Sequence, residues 1–173
     1  MELQELIQKA KKGDETAFYE LMQLHKVRLY RIALSYLKNS EDAVEAMQEI
    51  TYRAFRSIRK VKEPQYFTTW LIRILLNYCN DELKKRKRLL VSDDLISLMG
   101  SEYQSSWLEV EEVIGKLDPK TRQVIELKYV HDFKIKEIAE ILECPEGTVK
   151  TWLNKGLRDL RDQLEEEGGL GYA

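Results

Sequence analysis

Apolar residues recur every three or four positions along most of this chain, which is the spacing of one face of an α-helix. The first segment has this spacing at Leu3, Leu6, Ile7 and Ala10. The alternation of apolar and polar residues that is typical of β-strands is scarce, and only three prolines and eight glycines interrupt the pattern. The sequence therefore predicts an all-α fold.

Turn and capping residues divide this periodicity into separate helices. Gly13-Asp14 is expected to end the first helix and cap the second. The apolar stripe of the second helix runs to Leu37 and includes Leu24 and Val27. Asn39-Ser40 stops that helix and offers an N-cap for a third. Several helices of ordinary length are therefore expected in the N-terminal part of the chain.

The distribution of charge divides the chain, although the net charge is only −2. Residues 59–88 hold nine Lys/Arg and three Asp/Glu, whereas residues 89–118 hold seven acids and one lysine. The segment after residue 88 also lacks a sustained period and is rich in serine. We predict two small helical domains, 1–88 and 108–167, joined by a flexible acidic linker, 89–107, and followed by a tail, 168–173.

The sequence contains no residue spacing that is typical of a catalytic or metal site. Cys79 and Cys144 are far apart and lack CxxC spacing, so both are expected to be small buried residues. His25 and His131 have no ligand or catalytic partner nearby in sequence. A secretory signal and a membrane span of about 20 apolar residues are also lacking. We expect a cytoplasmic protein that is not an enzyme and has no cofactor, metal or small-molecule substrate.

Residues 135–153 have the pattern of a helix-turn-helix, with a turn at residues 143–146 and a small Ala139 where the helices would cross. Glu143 stands where glycine is usual, at a cost of about 1 kcal/mol if its φ is positive. One face of the second helix is expected to be buried: Val149, Leu153, Gly156, Leu157, Leu160 and Leu164. The other face could enter the major groove of DNA: Lys150, Thr151, Asn154, Lys155 and Arg158. A helical hairpin with a merely solvated polar face is the alternative.

A helix predicted from about Phe67 to Arg88 combines aromatic and basic side chains. Tyr66, Arg73 and Asn77 come ahead of an unbroken basic run, Lys84-Lys85-Arg86-Lys87-Arg88. Aromatic rings stack with unpaired bases, cations bind the phosphate backbone, and an asparagine can bond the edge of an extruded base. This helix therefore suits single-stranded or melting DNA.

Packing and solvation offer simpler explanations for the same helix. Trp70, Ile74 and Tyr78 are spaced as a core stripe, and the basic run could be a solvated face.

Taken together, these segments resemble the extracytoplasmic-function (ECF) class of bacterial sigma factors. The residues that carry the resemblance are Gly13-Asp14 with Ala17-Phe18, Leu29 to Ala33, Asp42 to Glu49, the pattern Phe67-x-x-Trp70-Leu71-x-Arg73-Ile74-x-x-Asn77, Leu117-Asp118-Pro119, Gln123-Val124, and Gly147 to Lys150. Their order and spacing are more specific than any one segment. Departures from the family pattern are Val44-Glu45, Trp152 and Asn154.

The resemblance implies three binding sites. Core RNA polymerase would be bound by Asp42, Glu45, Gln48 and Glu49. The −10 promoter element would be opened and read by Tyr66, Phe67, Arg73, Asn77, Lys84, Lys85, Arg86, Lys87 and Arg88. The −35 element would be read as duplex by Thr148, Lys150, Thr151, Asn154, Lys155 and Arg158. The linker would thread toward the RNA path of the polymerase, and an anti-sigma factor, commonly membrane-anchored in this class, would restrain the protein.

Two other classes of protein compete with this interpretation. A free-standing helix-turn-helix regulator, binding DNA as a dimer, would explain residues 113–164 but not the basic aromatic helix. A helical adaptor would make no specific contact with DNA. An enzyme is the weakest alternative, because no cluster of residues could carry chemistry.

Overall fold

The computed structural model of this chain describes residues 2–92 and 108–168, and all regular secondary structure in these ranges is helical, which confirms the predicted fold class. The α-helices are α1 (Leu3–Lys11), α2 (Glu15–Leu37), α3 (Ser40–Ser57), α4 (Phe67–Ser92), α5 (Leu108–Gly115), α6 (Pro119–Ile125), α7 (Ile135–Leu142) and α8 (Glu146–Gly168). Short 3₁₀ turns occupy Ile58–Lys60 and Pro64–Tyr66, and a π-helical turn occupies Glu126–Val130.

The chain divides into two compact units, Met1–Ser101 and Glu102–Ala173, and the division falls inside the predicted linker. Residues 89–92 of that linker continue α4, so the helix does not end at Arg88 as expected. Although the charge changes sign near residue 89, residues 89–92 include no glycine or proline that would end the helix. This explains why α4 continues past Arg88. Residues 93–107 and 169–173 lie outside the described residues, and the predicted domain limits therefore stay predictions.

Helix α2 is the centre of the first unit and packs against α1, α3 and α4. Its buried side chains include Leu21, Leu29 and Ile32. Leu24 and Val27 were expected in the same apolar stripe but are 66% and 62% exposed. They point away from the buried stripe, so apolar character alone did not locate the core face of this helix.

The core face of α4 differs from the stripe considered in the sequence. Leu71 and Leu75 are fully buried, whereas Trp70 and Ile74 are only half-buried. Tyr78 lies in the core as that stripe required. Cys79 is also buried, as expected, and burial raises the pKa of its thiol to about 12.

Cys144, in the second unit, is half-buried rather than buried, because it lies in the exposed turn between α7 and α8.

Side-chain caps begin three helices, and those of α2 and α3 lie at the predicted positions. The carboxylate of Asp14 accepts a hydrogen bond from the Ala17 amide at 3.0 Å, and Asp118 caps α6 in the same way. Asn39 caps α3, and Lys38, the residue that follows α2, is left-handed with a φ of 55°. These caps explain why the helix boundaries could be predicted from local sequence.

Helix α8 organises the second unit by packing against α5, α6 and α7. Val149, Leu153 and Gly156 are buried, as expected. The same expectation is wrong for Leu157 and Leu164, which are 39% and 50% exposed, and Leu160 is only half-buried. Helices α6 and α7 have seven and eight residues, and these short helices cannot cover the 23 residues of α8.

Candidate nucleic-acid and polymerase interfaces

The predicted helix-turn-helix is formed by α7 and α8. Glu143 ends α7 in the left-handed conformation, with φ 53° and ψ 47°, so the anticipated non-glycine strain is present. Helix α8 begins at Glu146, one residue before the predicted start. Ala139 is buried and α7 packs against α8, as expected for a small side chain in a helix-turn-helix.

One face of α8 is polar and accessible. The side chains of Lys150, Thr151, Asn154, Lys155 and Arg158 are exposed, and Thr148 is half-buried. They lie opposite the buried Val149 and Leu153. The Thr151 hydroxyl donates to the Gly147 carbonyl at 2.9 Å, which orients this side chain along its own helix. The face therefore offers three cations and an amide side chain to a ligand.

The N-terminal end of α6 lies beside this face. Lys155 Nζ is 3.1 Å from Asp118 Oδ2, and Lys120 Nζ lies 6.0 Å from the centre of the Trp152 ring. Hydrogen bonds from Thr121 lower the pKa of Asp118 to about 2, with Lys155 adding to the effect. The sequence indicated Asp118 only as part of the segment Leu117-Asp118-Pro119, and no local spacing brings Lys120 next to Trp152.

The residues predicted to contact DNA at and near the start of α4 differ in how far they are exposed. Tyr66 is 44% exposed and Asn77 is exposed, whereas Arg73 is half-buried. Phe67 has 0% exposure and packs edge-to-face against His25, with ring centres 5.4 Å apart. This corrects the expectation for Phe67, because a fully buried ring presents no surface to DNA.

The basic run is not uniform. Lys84, Lys85, Lys87 and Arg88 are exposed, and Lys85 pairs with Glu82 at 3.1 Å. Arg86 is half-buried and donates hydrogen bonds to the Asp42 carboxylate and, at 2.9 Å, to the Leu37 carbonyl. Its guanidinium is therefore engaged within the unit, whereas its four neighbours extend toward solvent.

The candidate polymerase-binding residues lie along α3. Glu45 and Gln48 are exposed, and Asp42 and Glu49 are half-buried. Glu49 accepts a hydrogen bond from Arg53 at 2.7 Å, and the Arg53 guanidinium also lies over the Tyr78 ring.

Exposed apolar side chains also lie on the same helix, and one of them, Val44, is a departure from the family pattern. Val44 and Tyr52 are 50% and 56% exposed, and Phe55 is 47% exposed.

The described residues 2–92 and 108–168 include no group of His, Cys, Asp and Glu side chains arranged to hold a metal ion. In the same two ranges, every helix is too short or too polar to cross a membrane.

The two units match two parts of one protein family. Residues 21–89 match the family described as Sigma-70 region 2, and residues 107–160 match Sigma-70, region 4. The chain is 35% identical over 146 residues to the RNA polymerase sigma factor SigV of Bacillus subtilis, covering 83% of this chain and 88% of that protein. It is 30% identical to the ECF RNA polymerase sigma factor SigW of the same organism, covering 96% and 98%.

A solved structure with the same fold is that of the sigma factor RpoE from Bartonella quintana in complex with the anti-sigma factor NepR. The TM-score is 0.67 at 20% identity, with 87% of this chain and 98% of that chain covered.

These matches decide between the classes of protein considered above. A free-standing helix-turn-helix regulator would leave residues 21–89 unexplained, and a helical adaptor would explain neither matched segment. The chain belongs to the ECF group of RNA polymerase sigma factors, which are transcription initiation factors and not enzymes.

Proposed function

We propose that this chain binds core RNA polymerase, directs it to particular promoters and helps to open them, and is restrained by an anti-sigma factor. The observation that carries the proposal is the accessible polar face of α8, with its five exposed side chains opposite a buried apolar face. A helix with one exposed polar face and one buried apolar face can enter the major groove while its buried face stays packed in its own unit.

The −35 element is the proposed target of α8. Asn154 and Lys150 are suited to hydrogen bonds with base edges, and each well-formed bidentate contact discriminates by about 1–3 kcal/mol. Lys155 and Arg158 are suited to phosphates, so their loss should weaken binding to all sequences. Because Trp152 and Asn154 depart from the family pattern, the preferred sequence is expected to be specific to this protein.

The −10 element is the proposed target of Tyr66 and of residues along α4. Tyr66 can stack with an unpaired base, Asn77 can bond a base edge, and Arg73 lies on the same helix between them. Lys84, Lys85, Lys87 and Arg88 can hold the phosphate backbone. These contacts favour a separated strand over a duplex and so assist melting.

Docking on core polymerase is assigned to the polar side chains of α3, led by Glu45 and Gln48, which are the two exposed members of the predicted set. The chain as a whole carries a net charge of −2 and so offers little nonspecific attraction to DNA, and each small unit alone is expected to bind weakly. Attachment of both units to polymerase makes the second DNA contact effectively intramolecular, which raises its strength without new contacts.

Restraint by an anti-sigma factor is supported by the RpoE–NepR complex, whose sigma factor shares this fold. A partner that copurifies with the chain from its host should displace it from core polymerase and abolish promoter-specific transcription. A partner that leaves core binding intact would contradict this part of the proposal.

The test of the proposal is run-off transcription with purified core polymerase on promoter fragments from the host genome. Start sites should appear only when this chain is added. Asn77→Ala should reduce strand opening, measured by permanganate reactivity of unpaired thymines, with Asp81→Ala as the control on the same helix. Lys155→Ala should weaken binding to −35 duplex and lower the salt slope by about one.

Arg161→Ala is the matched control for Lys155→Ala, because Arg161 is an exposed cation on α8 outside the candidate site. The proposal is wrong if the chain neither binds core polymerase nor produces specific start sites.

A further inference from the structure

The segment between α3 and α4 is held at its beginning by a side chain from α1. Lys11 Nζ donates a hydrogen bond to the Val61 carbonyl at 2.5 Å, across 50 positions of sequence. Lys11 is half-buried, Val61 is 3% exposed, and α1 packs against both 3₁₀ turns of this segment. The contact therefore fixes the backbone just after the first 3₁₀ turn.

A second side chain, from α2, holds the other end. His25 Nδ1 lies 2.8 Å from the Leu21 carbonyl, and His25 Nε2 lies 3.0 Å from Thr68 Oγ1. Since a carbonyl only accepts, Nδ1 carries the proton, and Nε2 of the neutral ring accepts from the Thr68 hydroxyl. Burial lowers the pKa of His25, which favours this neutral form. The edge-to-face contact with Phe67 adds a second restraint.

Four residues between these anchors are accessible. Lys62, Glu63, Gln65 and Tyr66 are exposed, and the segment makes few backbone hydrogen bonds of its own, such as Tyr66 N to Glu63 O at 3.1 Å. A segment with little internal hydrogen bonding populates many shapes unless other elements restrain it. Its shape should therefore depend on Lys11 and His25.

We propose that Lys11 and His25 are positioning residues, which hold residues 61–68 in the shape that engages single-stranded −10 DNA. This inference rests on the proposed function of the segment and of α4. Preorganisation of this kind raises affinity because less conformational freedom is lost on binding. Lys11 lies outside the part of the chain, residues 21–89, that matches the region 2 family.

The experiment measures three affinities. The first is that of the chain for core polymerase. The other two are those of the holoenzyme for −35 duplex and for an oligonucleotide carrying the non-template −10 sequence of a promoter found by run-off transcription. Lys11→Met and His25→Leu should each weaken oligonucleotide binding about three- to tenfold, in proportion to the loss of the binding-competent shape. The other two affinities should change less than about twofold. Lys11→Arg should retain most of the oligonucleotide affinity, because it keeps a cationic donor.

Lys12→Met is the matched control, because Lys12 is the exposed neighbour of Lys11. Hydrogen exchange supplies a second measurement: the amides of Val61 and Tyr66, both protected by backbone hydrogen bonds, should exchange faster in Lys11→Met and His25→Leu.

The inference is overturned if both variants bind the oligonucleotide like the wild type, or if all three affinities fall together, which would indicate general destabilisation. Asn77→Ala separates this outcome from failure of the proposed function. If the wild type binds the oligonucleotide and Asn77→Ala does not, the proposed function stands even where the anchors have no effect. If neither the wild type nor any variant binds it, the proposed function and the inference are both wrong.

Discussion

The Arg86 guanidinium on α4 donates a hydrogen bond to the Asp42 carboxylate near the start of α3. The two residues are 44 positions apart, and their side chains are 24% and 40% exposed. Arg86 also donates to the Leu37 carbonyl at the end of α2, so one side chain connects three helices. A residue predicted to bind DNA thus contacts a residue predicted to bind polymerase.

Arg86 and Lys87 are expected to differ in their effect on stability although they are neighbours in the basic run. Arg86→Ala should lower the free energy of unfolding by about 1–2 kcal/mol, because it removes a charged hydrogen bond and the partner of a carbonyl. Lys87→Ala should change it by less than about 0.5 kcal/mol, because Lys87 is exposed. Urea denaturation followed by circular dichroism measures both.

A double-mutant cycle with Asp42→Asn tests the origin of this difference. The two substitutions should be non-additive by about 0.5 kcal/mol or more, since the side chains are in direct contact. Additive effects would mean that the Arg86–Asp42 pair contributes nothing.

Gly156→Ala is predicted to destabilise the second unit, although alanine favours a helix interior over glycine by about 1 kcal/mol. A Cβ at this position would lie 2.5 Å from Thr121 Cγ2 and 2.9 Å from Ile125 Cγ1. Relief of this overlap requires movement of α6, so we expect a net loss of about 1–3 kcal/mol. The measurement is the change in thermal midpoint, by differential scanning calorimetry.

Gly147→Ala is the control in α8, because a Cβ there meets no atom within 4 Å. It should leave stability unchanged or slightly raised. A stabilising Gly156→Ala would show that the α6–α8 contact is looser than described.

Asp118 should make the stability of the second unit depend on acidic pH. Hydrogen bonds from Thr121 hold its pKa at about 2 in the folded protein, below the ordinary 3.8. The stabilisation is therefore complete well above pH 3.8 and is lost as the pH falls through about 2. Asp118→Asn should be less stable than wild type at pH 7, and the difference should shrink toward pH 2, because a protonated aspartate resembles asparagine.

Denaturant titrations at several pH values test this expectation. Asp118→Ala is the companion variant, and loss of the N-cap should cost it about 0.5–2 kcal/mol at pH 7. A constant difference between wild type and Asp118→Asn at all pH values would contradict the assignment of the pKa.

His25 is expected to titrate below the ordinary histidine value of 6.5, because burial and then the positive charge of Arg28 disfavour its protonated form. The unfolded chain then binds a proton that the folded chain does not, so stability falls as the pH drops below about 6.5. NMR titration of the ring protons measures the pKa directly. Denaturation experiments at pH 7.5 and 5.5 compare the variants. Between these pH values, His25→Gln should lose less stability than the wild type. Equal losses would show that protonation of His25 is not the cause.

Local features of the sequence determined the helical fold class and most helix starts. Helical periodicity and N-caps act within four residues, as in the contacts from Asp14 to Ala17 and from Asn39 to Asp42. Positive φ at Glu143 is also a local property of a helix-turn-helix. The solvent-exposed polar face of α8 could be predicted for the same reason, since 3.6 residues per turn assign each side chain to one face.

Tertiary packing decided which of the candidate residues are accessible. Phe67 was grouped with DNA-contacting residues, but α2 covers it through His25. Arg86 and Lys87 are neighbours in the same basic run. The hydrogen bonds described to Asp42 and Leu37 come from Arg86, whereas Lys87 is exposed.

The same holds for the contacts of Lys11 with Val61 and of Lys155 with Asp118, which join positions 50 and 37 residues apart. Contacts of this kind depend on how helices pack against one another, and helix packing places side chains together with no regular spacing in the sequence. The sequence by itself therefore determined the helices and the chemistry on their faces. Only the tertiary structure decided which of those side chains meet each other and which remain available to DNA and polymerase.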